Sequence, residues 1–258
     1  MPTTTTSDGV SIAHEVSGSG PPLVLVHGIT EAAAAWDPLV ADLAADHTVV
    51  AIDMRGHGSS GLAPSYDTQA MADDVAAVLA DLGLGAPVAV GHSMGGIVVS
   101  AFAGLHPCRG VVNVDQSIAL GDFQELVQGA EPLLRSDAFA EVLTGLFDSM
   151  LGALSPEEAA RIGALRRPVQ DVVLGVWAPL LELDPPDLDA VVAEITSAIT
   201  VPYLALHGID PGPDYGPWLT TAVPSATLEV WEGSGHYPHL VHPQRFLDRL
   251  RAFEATLA

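Results

Sequence analysis

The chain predicts an α/β fold: an open, mostly parallel central sheet flanked by helices on both faces, with an inserted helical lid. Three observations carry this. Short, continuous apolar runs at residues 23–26, 48–52 and 87–90 have the length of strands buried on both faces. Stretches of helical period lie between them, so strand and helix alternate as a parallel sheet requires. The alternation lapses from about residue 118 to 199, where only helical stretches follow one another, and then resumes.

Taken in order, residues 9–16 alternate like an edge strand, and Ser17-Gly18-Ser19-Gly20-Pro21-Pro22 marks a turn before the central strand at 23–26. Residues 31–45 carry an Ala-rich helical pattern, and 48–52 is the next strand. A second amphipathic helix over 68–82 leaves Asp73, Asp74 and Asp81 to solvent. Residues 87–90 read as a strand, 96–103 as a buried helix, and 110–115 as a short strand ending in a carboxylate. The lid comprises helical stretches at 123–134, 138–151, 156–165, 169–181 and 188–198, separated by breaks such as Asp184-Pro185-Pro186. Strands return at 201–206 and 226–231, and 242–257 forms the last helix. The expected organisation is a core of residues 1–117 and 200–258 with a lid at 118–199.

Composition narrows the function. With 258 residues and 48% hydrophobic content, the chain can bury a substantial core. Its net charge of −23, with nine arginines and no lysine, provides no basic patch for nucleic acid or an anionic membrane. The N-terminus has neither a basic start nor an apolar run, so no signal peptide or span is expected. Cys108 is the only cysteine, which rules out an internal disulfide and makes the cytoplasm the natural compartment. A homodimer is compatible with this composition.

Gly91-His92-Ser93-Met94-Gly95 fits the G-x-S-x-G pattern, and it falls between a predicted strand and a predicted helix. A serine on such a turn is held out of the sheet in strained backbone geometry, beside the free N–H groups of a helix N-terminus. In a parallel sheet the chemistry gathers at the C-terminal strand ends. His27, Asp53, Ser93, Asp115, His207 and His236 each follow a strand in this way. A serine hydroxyl is a weak nucleophile at neutral pH. It needs an imidazole to accept its proton, and that imidazole needs a carboxylate to fix its tautomer.

With His27-Gly28-Ile29, residues 53–60 (Asp-Met-Arg-Gly-His-Gly-Ser-Ser), the Ser93 motif and Gly235-His236, the chain resembles the α/β-hydrolase superfamily from His14 to Phe253. The resemblance implies Ser93 as nucleophile, His236 as general base, and the backbone N–H groups of Ile29 and Met94 as the oxyanion hole. It implies packing or loop hydrogen bonding for His27, His57, His92 and His207, and makes His239 and His242 rivals of His236 by proximity alone. No metal or organic cofactor is implied, since no Cys/His cluster has ligand spacing and no phosphate-binding loop is present.

The acid has two main candidates. Asp210 lies one residue short of the position many of these hydrolases use, where this chain has Pro211, and Asp214 lies three beyond it. Asp115 ends the strand after the serine helix, a position used by zearalenone lactonases and some dehalogenases of the superfamily. Residues 235–246 resemble the histidine segment of those lactonases, and Trp177 resembles their substrate-facing lid tryptophan. The expected partner is an apolar small-molecule ester or lactone. Carbon–carbon bond hydrolysis and cofactor-free perhydrolysis use the same three side chains, and a slow-turnover ligand receptor would keep them too. A serine nucleophile argues against the haloalkane and epoxide chemistries, which use aspartate.

Overall fold

The computed structural model describes residues 1–257. Among them, eight strands form one sheet. In chain order these are β1 (Thr3–Thr5), β2 (Ser11–Gly18), β3 (Pro22–Val26), β4 (Thr48–Ile52), β5 (Val88–His92), β6 (Gly110–Val114), β7 (Tyr203–His207) and β8 (Ala226–Val230). The spatial order is β1-β2-β4-β3-β5-β6-β7-β8, with β1 and β2 antiparallel to their neighbours and the rest parallel. The helices of the core are α1 (Asp37–Leu43), α2 (Thr68–Asp81) and α3 (Met94–Leu105). Between β6 and β7 run α4 (Gly121–Leu134), α5 (Phe139–Ser149), α6 (Pro156–Leu165), α7 (Gln170–Val176), α8 (Ala178–Glu182) and α9 (Pro185–Ala198). Helix α10 (Tyr215–Ala222) joins β7 to β8, and α11 (Pro238–Val241) and α12 (Pro243–Glu254) close the chain. This is the α/β-hydrolase fold with a helical insertion.

The apolar runs are continuous because both sheet faces are covered. Side chains on a strand alternate faces, and here Val24, Val26, Val50, Ile52 and Ala89 join one core with residues of α2, α3 and the inserted helices. Leu23, Leu25, Val49, Ala51 and Val90 join the other, with Trp36, Leu39 and Leu43 from the α1 side and Phe246, Leu247 and Leu250 from α12. The parallel register from Leu23 through Val88 to Gly110 aligns the strand ends, so the loops that follow them meet at one edge.

Several expectations need correction. The edge strand is not the 9–16 segment but β1, formed by the threonine run at the start, and β2 pairs on both sides. Threonine at alternating exposed and buried positions suits a half-buried edge. Asp74 is fully buried rather than solvated: its two oxygens take the Arg55 Nε–H and Nη2–H, each at 2.7 Å. Helical period marks which face a residue occupies, but it does not show that an arginine 19 positions upstream will cap that face. The 169–181 stretch breaks at Trp177 into α7 and α8, with Pro179 opening the second. The 31–45 stretch is a 3-10 turn at Ala33–Trp36 followed by α1. Helix α10 has no counterpart in the expected elements.

Candidate active site

Ser93 sits between β5 and α3 at φ 52° and ψ −124°. Such a left-handed, non-glycine backbone persists only where its surroundings hold it. The glycines of the motif show how. A side chain on Gly91 would collide with the Gly95 carbonyl, and one on Gly95 would collide with the carbonyl of Val26. The turn is packed too closely for any Cβ at either position. The Ser93 amide donates to Val114 O at 3.0 Å, tying the turn to β6. Met94 is the first residue of α3, so its N–H has no carbonyl to bond within the helix.

Asp115 follows β6 at φ 53°, and its amide donates to Leu206 O at 2.8 Å. Its Oδ1 accepts the N–H groups of Gly208 at 2.6 Å and Ile209 at 3.0 Å, and its Oδ2 lies 2.6 Å from His236 Nδ1. Burial alone would push this carboxyl up. The His236 ring and the Ile209 amide outweigh burial and hold it below the usual carboxylate range. Asp210 is exposed and turns its carboxylate to the Gly212 N–H at 2.9 Å, while Asp214 precedes α10. Of the carboxylates weighed from the sequence, the fold brings Asp115 to His236.

His236 reaches the site on the loop after β8, where Gly233 and Gly235 both have positive φ. That loop is pinned from the inserted helices: the His236 amide donates to Met150 O, at the end of α5, at 2.8 Å. His239 packs at a tilt against Trp36 and His92, and His242 packs edge-on against Trp231. Neither has Asp115 as a partner.

The other motif residues build the floor. Asp53 accepts the N–H groups of Ala33 and Ser59, each at 2.7 Å, and so clamps the loop after β3 to the loop after β4. The His27 Nε2 accepts the Met54 N–H at 3.1 Å, and the His57 Nδ1–H donates to Arg55 O at 2.9 Å. Burial pushes His27 down and His57 down to about 3, and the His27 ring, accepting at Nε2, is a neutral strut.

One cluster has no signal in the sequence. Buried Glu31 accepts the Tyr237 hydroxyl at 2.6 Å on one oxygen and has His92 Nδ1 3.7 Å from the other. The His92 Nε2–H donates to the His236 carbonyl at 2.8 Å, and Arg166 Nη2 donates to the Tyr237 hydroxyl at 3.3 Å. Glu31 therefore holds the residue after His236 through the Tyr237 hydroxyl, while His92, beside its other oxygen, holds the His236 carbonyl. Burial would raise Glu31, but the nearby His92 ring and the bond from the Tyr237 hydroxyl hold it well below the usual range. The members are 206 positions apart at the extreme, so no local pattern could have joined them.

Ser93, Asp115 and His236 open onto a cavity of about 330 Å³. Ile29 and Met94 line it, as do Phe123, Phe147, Trp177 and Leu180 from the inserted helices. Trp177 meets Phe123 edge-on at 5.7 Å. No lysine or arginine lines it. Leu126, Val191 and Ile209, each exposed, form an apolar rim.

A serine on a strained elbow, a histidine bonded to a buried carboxylate and an apolar cavity above them define a hydrolase site. The family model described as "Alpha/beta hydrolase family" matches residues 23–249, and the chain belongs to that family. Within it, the chain is a hydrolase of the esterase type. It is 30% identical over 262 residues to a non-heme chloroperoxidase of Kitasatospora aureofaciens, covering 92% of each chain. An esterase structure from Rhodococcus sp. ECU1013 superposes with a TM-score of 0.77 at 28% identity, covering 100% of this chain and 99% of that one. The structure titled as Est816, an N-acyl homoserine lactone degrading enzyme, gives 0.78 at 26% identity, covering 98% and 100%. No helix among the described residues is long and apolar enough to cross a membrane.

Proposed function

We propose that the protein cleaves a carboxylic ester or lactone of an uncharged, apolar small molecule through an acyl-enzyme on Ser93. The observation that carries this reading is the 2.6 Å contact between His236 Nδ1 and Asp115 Oδ2 beside Ser93 in one cavity. Asp115 accepts the Nδ1–H, which leaves Nε2 unprotonated and able to take the serine proton as Oγ attacks the carbonyl. The developing oxyanion is held by the N–H groups of Ile29 and Met94, and His236 then delivers its proton to the leaving alkoxide. Water repeats the sequence on the acyl-enzyme. Residues 118–199 act as the lid over a core of 1–117 and 200–258, of which residue 258 lies outside the described span. Trp177 serves as an apolar wall of the pocket.

The apolar lining and the absence of lysine or arginine in it, together with a net charge of −23, select against carboxylate and phosphate substrates. The lactone half of the reading, including the zearalenone-type resemblance, draws support from the position of Asp115 and from the lactone-degrading relative. The test is Ser93→Ala against a panel of nitrophenyl esters and lactones. Turnover should fall to background with the fold retained, and substantial residual turnover would defeat the reading. A second reading, perhydrolysis, is favoured by the chloroperoxidase relative. In it hydrogen peroxide replaces water in attacking the acyl-enzyme and releases a peracid. Adding peroxide to a turnover assay separates the two by product. An acyl burst with negligible turnover would instead mark a receptor.

A further inference from the structure

Helix α5 forms the wall between two spaces. Leu146, Phe147 and Met150 line the Ser93 cavity, whereas Leu143, Thr144, Phe147, Asp148 and Leu151 line a second chamber of about 470 Å³. At 3.6 residues per turn, Leu146 lies on one flank of α5 and Thr144 and Asp148 on the opposite one, while Met150 and Leu151 follow the helix end. Phe147 falls at the seam between the two flanks. It is the one residue common to both linings.

The ring is also backed from the chamber side. The Arg166 guanidinium lies 5.1 Å from the Phe147 centroid, and Arg166 itself lines the chamber. Arg166 is fixed in turn by Asp148 at 2.9 Å and by the Tyr237 hydroxyl at 3.3 Å. The ring is thus backed by a tethered cation on the side away from Ser93.

We propose that Phe147 is a specificity-determining residue: it ends the pocket that receives the acyl arm, limits the enzyme to short and medium acyl groups, and separates that pocket from the second, partly solvent-open chamber, which longer chains would enter. This rests on the Ser93 reading above. A cavity of about 330 Å³ is at the low end of ligand pockets, and each methylene that no longer fits costs about tenfold or more in selectivity. Removing the ring joins the two spaces.

The chamber also provides its own control. Gly163 lines it on α6, and a Cβ there meets nothing within 4 Å, so a larger side chain can fill the chamber without touching the Ser93 cavity. The experiment measures kcat/KM for p-nitrophenyl esters from acetate to laurate in the wild type, Phe147→Ala, Gly163→Leu and the double variant. Wild type should fall away beyond medium chains, and Phe147→Ala should gain about tenfold or more on the long esters. The double variant should lose that gain, and Gly163→Leu alone should keep the wild-type profile. Phe147→Leu, a milder change, should give an intermediate shift and serves if the alanine variant folds poorly. An unchanged chain-length profile in both Phe147 variants, or a gain that survives Gly163→Leu, would overturn the proposal. Turnover that persists in Ser93→Ala would instead strike the underlying reading, so the two failures are distinguishable.

Discussion

Replacing Asp115 by asparagine removes one charge and almost no volume, and the structure dictates how the new side chain must sit. Oδ1 accepts two amide N–H groups, those of Gly208 and Ile209. The asparagine oxygen has to stay there, because an NH₂ in that place would leave both buried donors facing a donor, at a cost of about 1–3 kcal/mol each. The NH₂ therefore takes the Oδ2 place, 2.6 Å from His236 Nδ1, and the imidazole responds by moving its proton to Nε2. That tautomer presents an N–H to Ser93 and cannot accept its proton. The expected loss in kcat is about four orders of magnitude, or about 5 kcal/mol of barrier at 1.36 kcal/mol per tenfold. KM should change little. Asp210→Asn is the control, since that side chain is exposed and bonded only to a neighbouring turn amide, and it should stay within about twofold. Nitrogen-15 spectra of the His236 ring report the tautomer directly, alongside steady-state kinetics on p-nitrophenyl butyrate. A folded Asp115→Asn protein within tenfold of wild type, or an Asp210→Asn protein that loses more, would refute this account.

Three further outcomes follow from the same contacts. Glu31→Ala strands the Tyr237 hydroxyl and releases that brace on the His236 loop, so it should lower both Tm and kcat, whereas Glu31→Gln keeps an acceptor for Tyr237 and should be milder; equal effects of the two would contradict the bracing geometry. Asp74→Asn breaks a buried bidentate pair with Arg55 and should cost about 3 kcal/mol by urea denaturation. Stability should fall as pH drops below about 6.5: His57 is held near 3 when folded, so the unfolded chain binds the extra proton between those values, a loss of about 1.4 kcal/mol per pH unit for one such group. Buried His27 and His239 are shifted in the same direction. Once the pH falls below their ordinary values of 4.5 and 3.8, the depressed carboxyls of Glu31 and Asp115 add to the loss, because the unfolded chain takes up their protons first. Urea midpoints at pH 7.5, 6.0 and 5.0 check the sign, and a flat series would contradict it.

What could be read along the chain was whatever depends on neighbours in sequence. Continuous apolar runs became the parallel strands because burial on both faces leaves no polar position in them, and the Ser93 turn was legible because its glycines are demanded by the backbone packed against them. Helix ends were less legible. The 169–181 period gives no sign that it stops at Trp177, and the break falls between Gly175 in the last turn of α7 and Pro179 in the first turn of α8.

Local order along the polypeptide determined the strands, the elbow, the helical insertion and the short set of side chains able to do acyl chemistry. Only the folded chain decided which carboxylate meets His236, that Asp74 is buried against Arg55, that Glu31 braces the histidine loop, and that Phe147 stands between two cavities. Each of these turns on a contact between segments far apart in sequence or on which flank of a helix faces a cavity. Such a contact is fixed by sheet register and by how the inserted helices dock, which no stretch of a few residues encodes by itself.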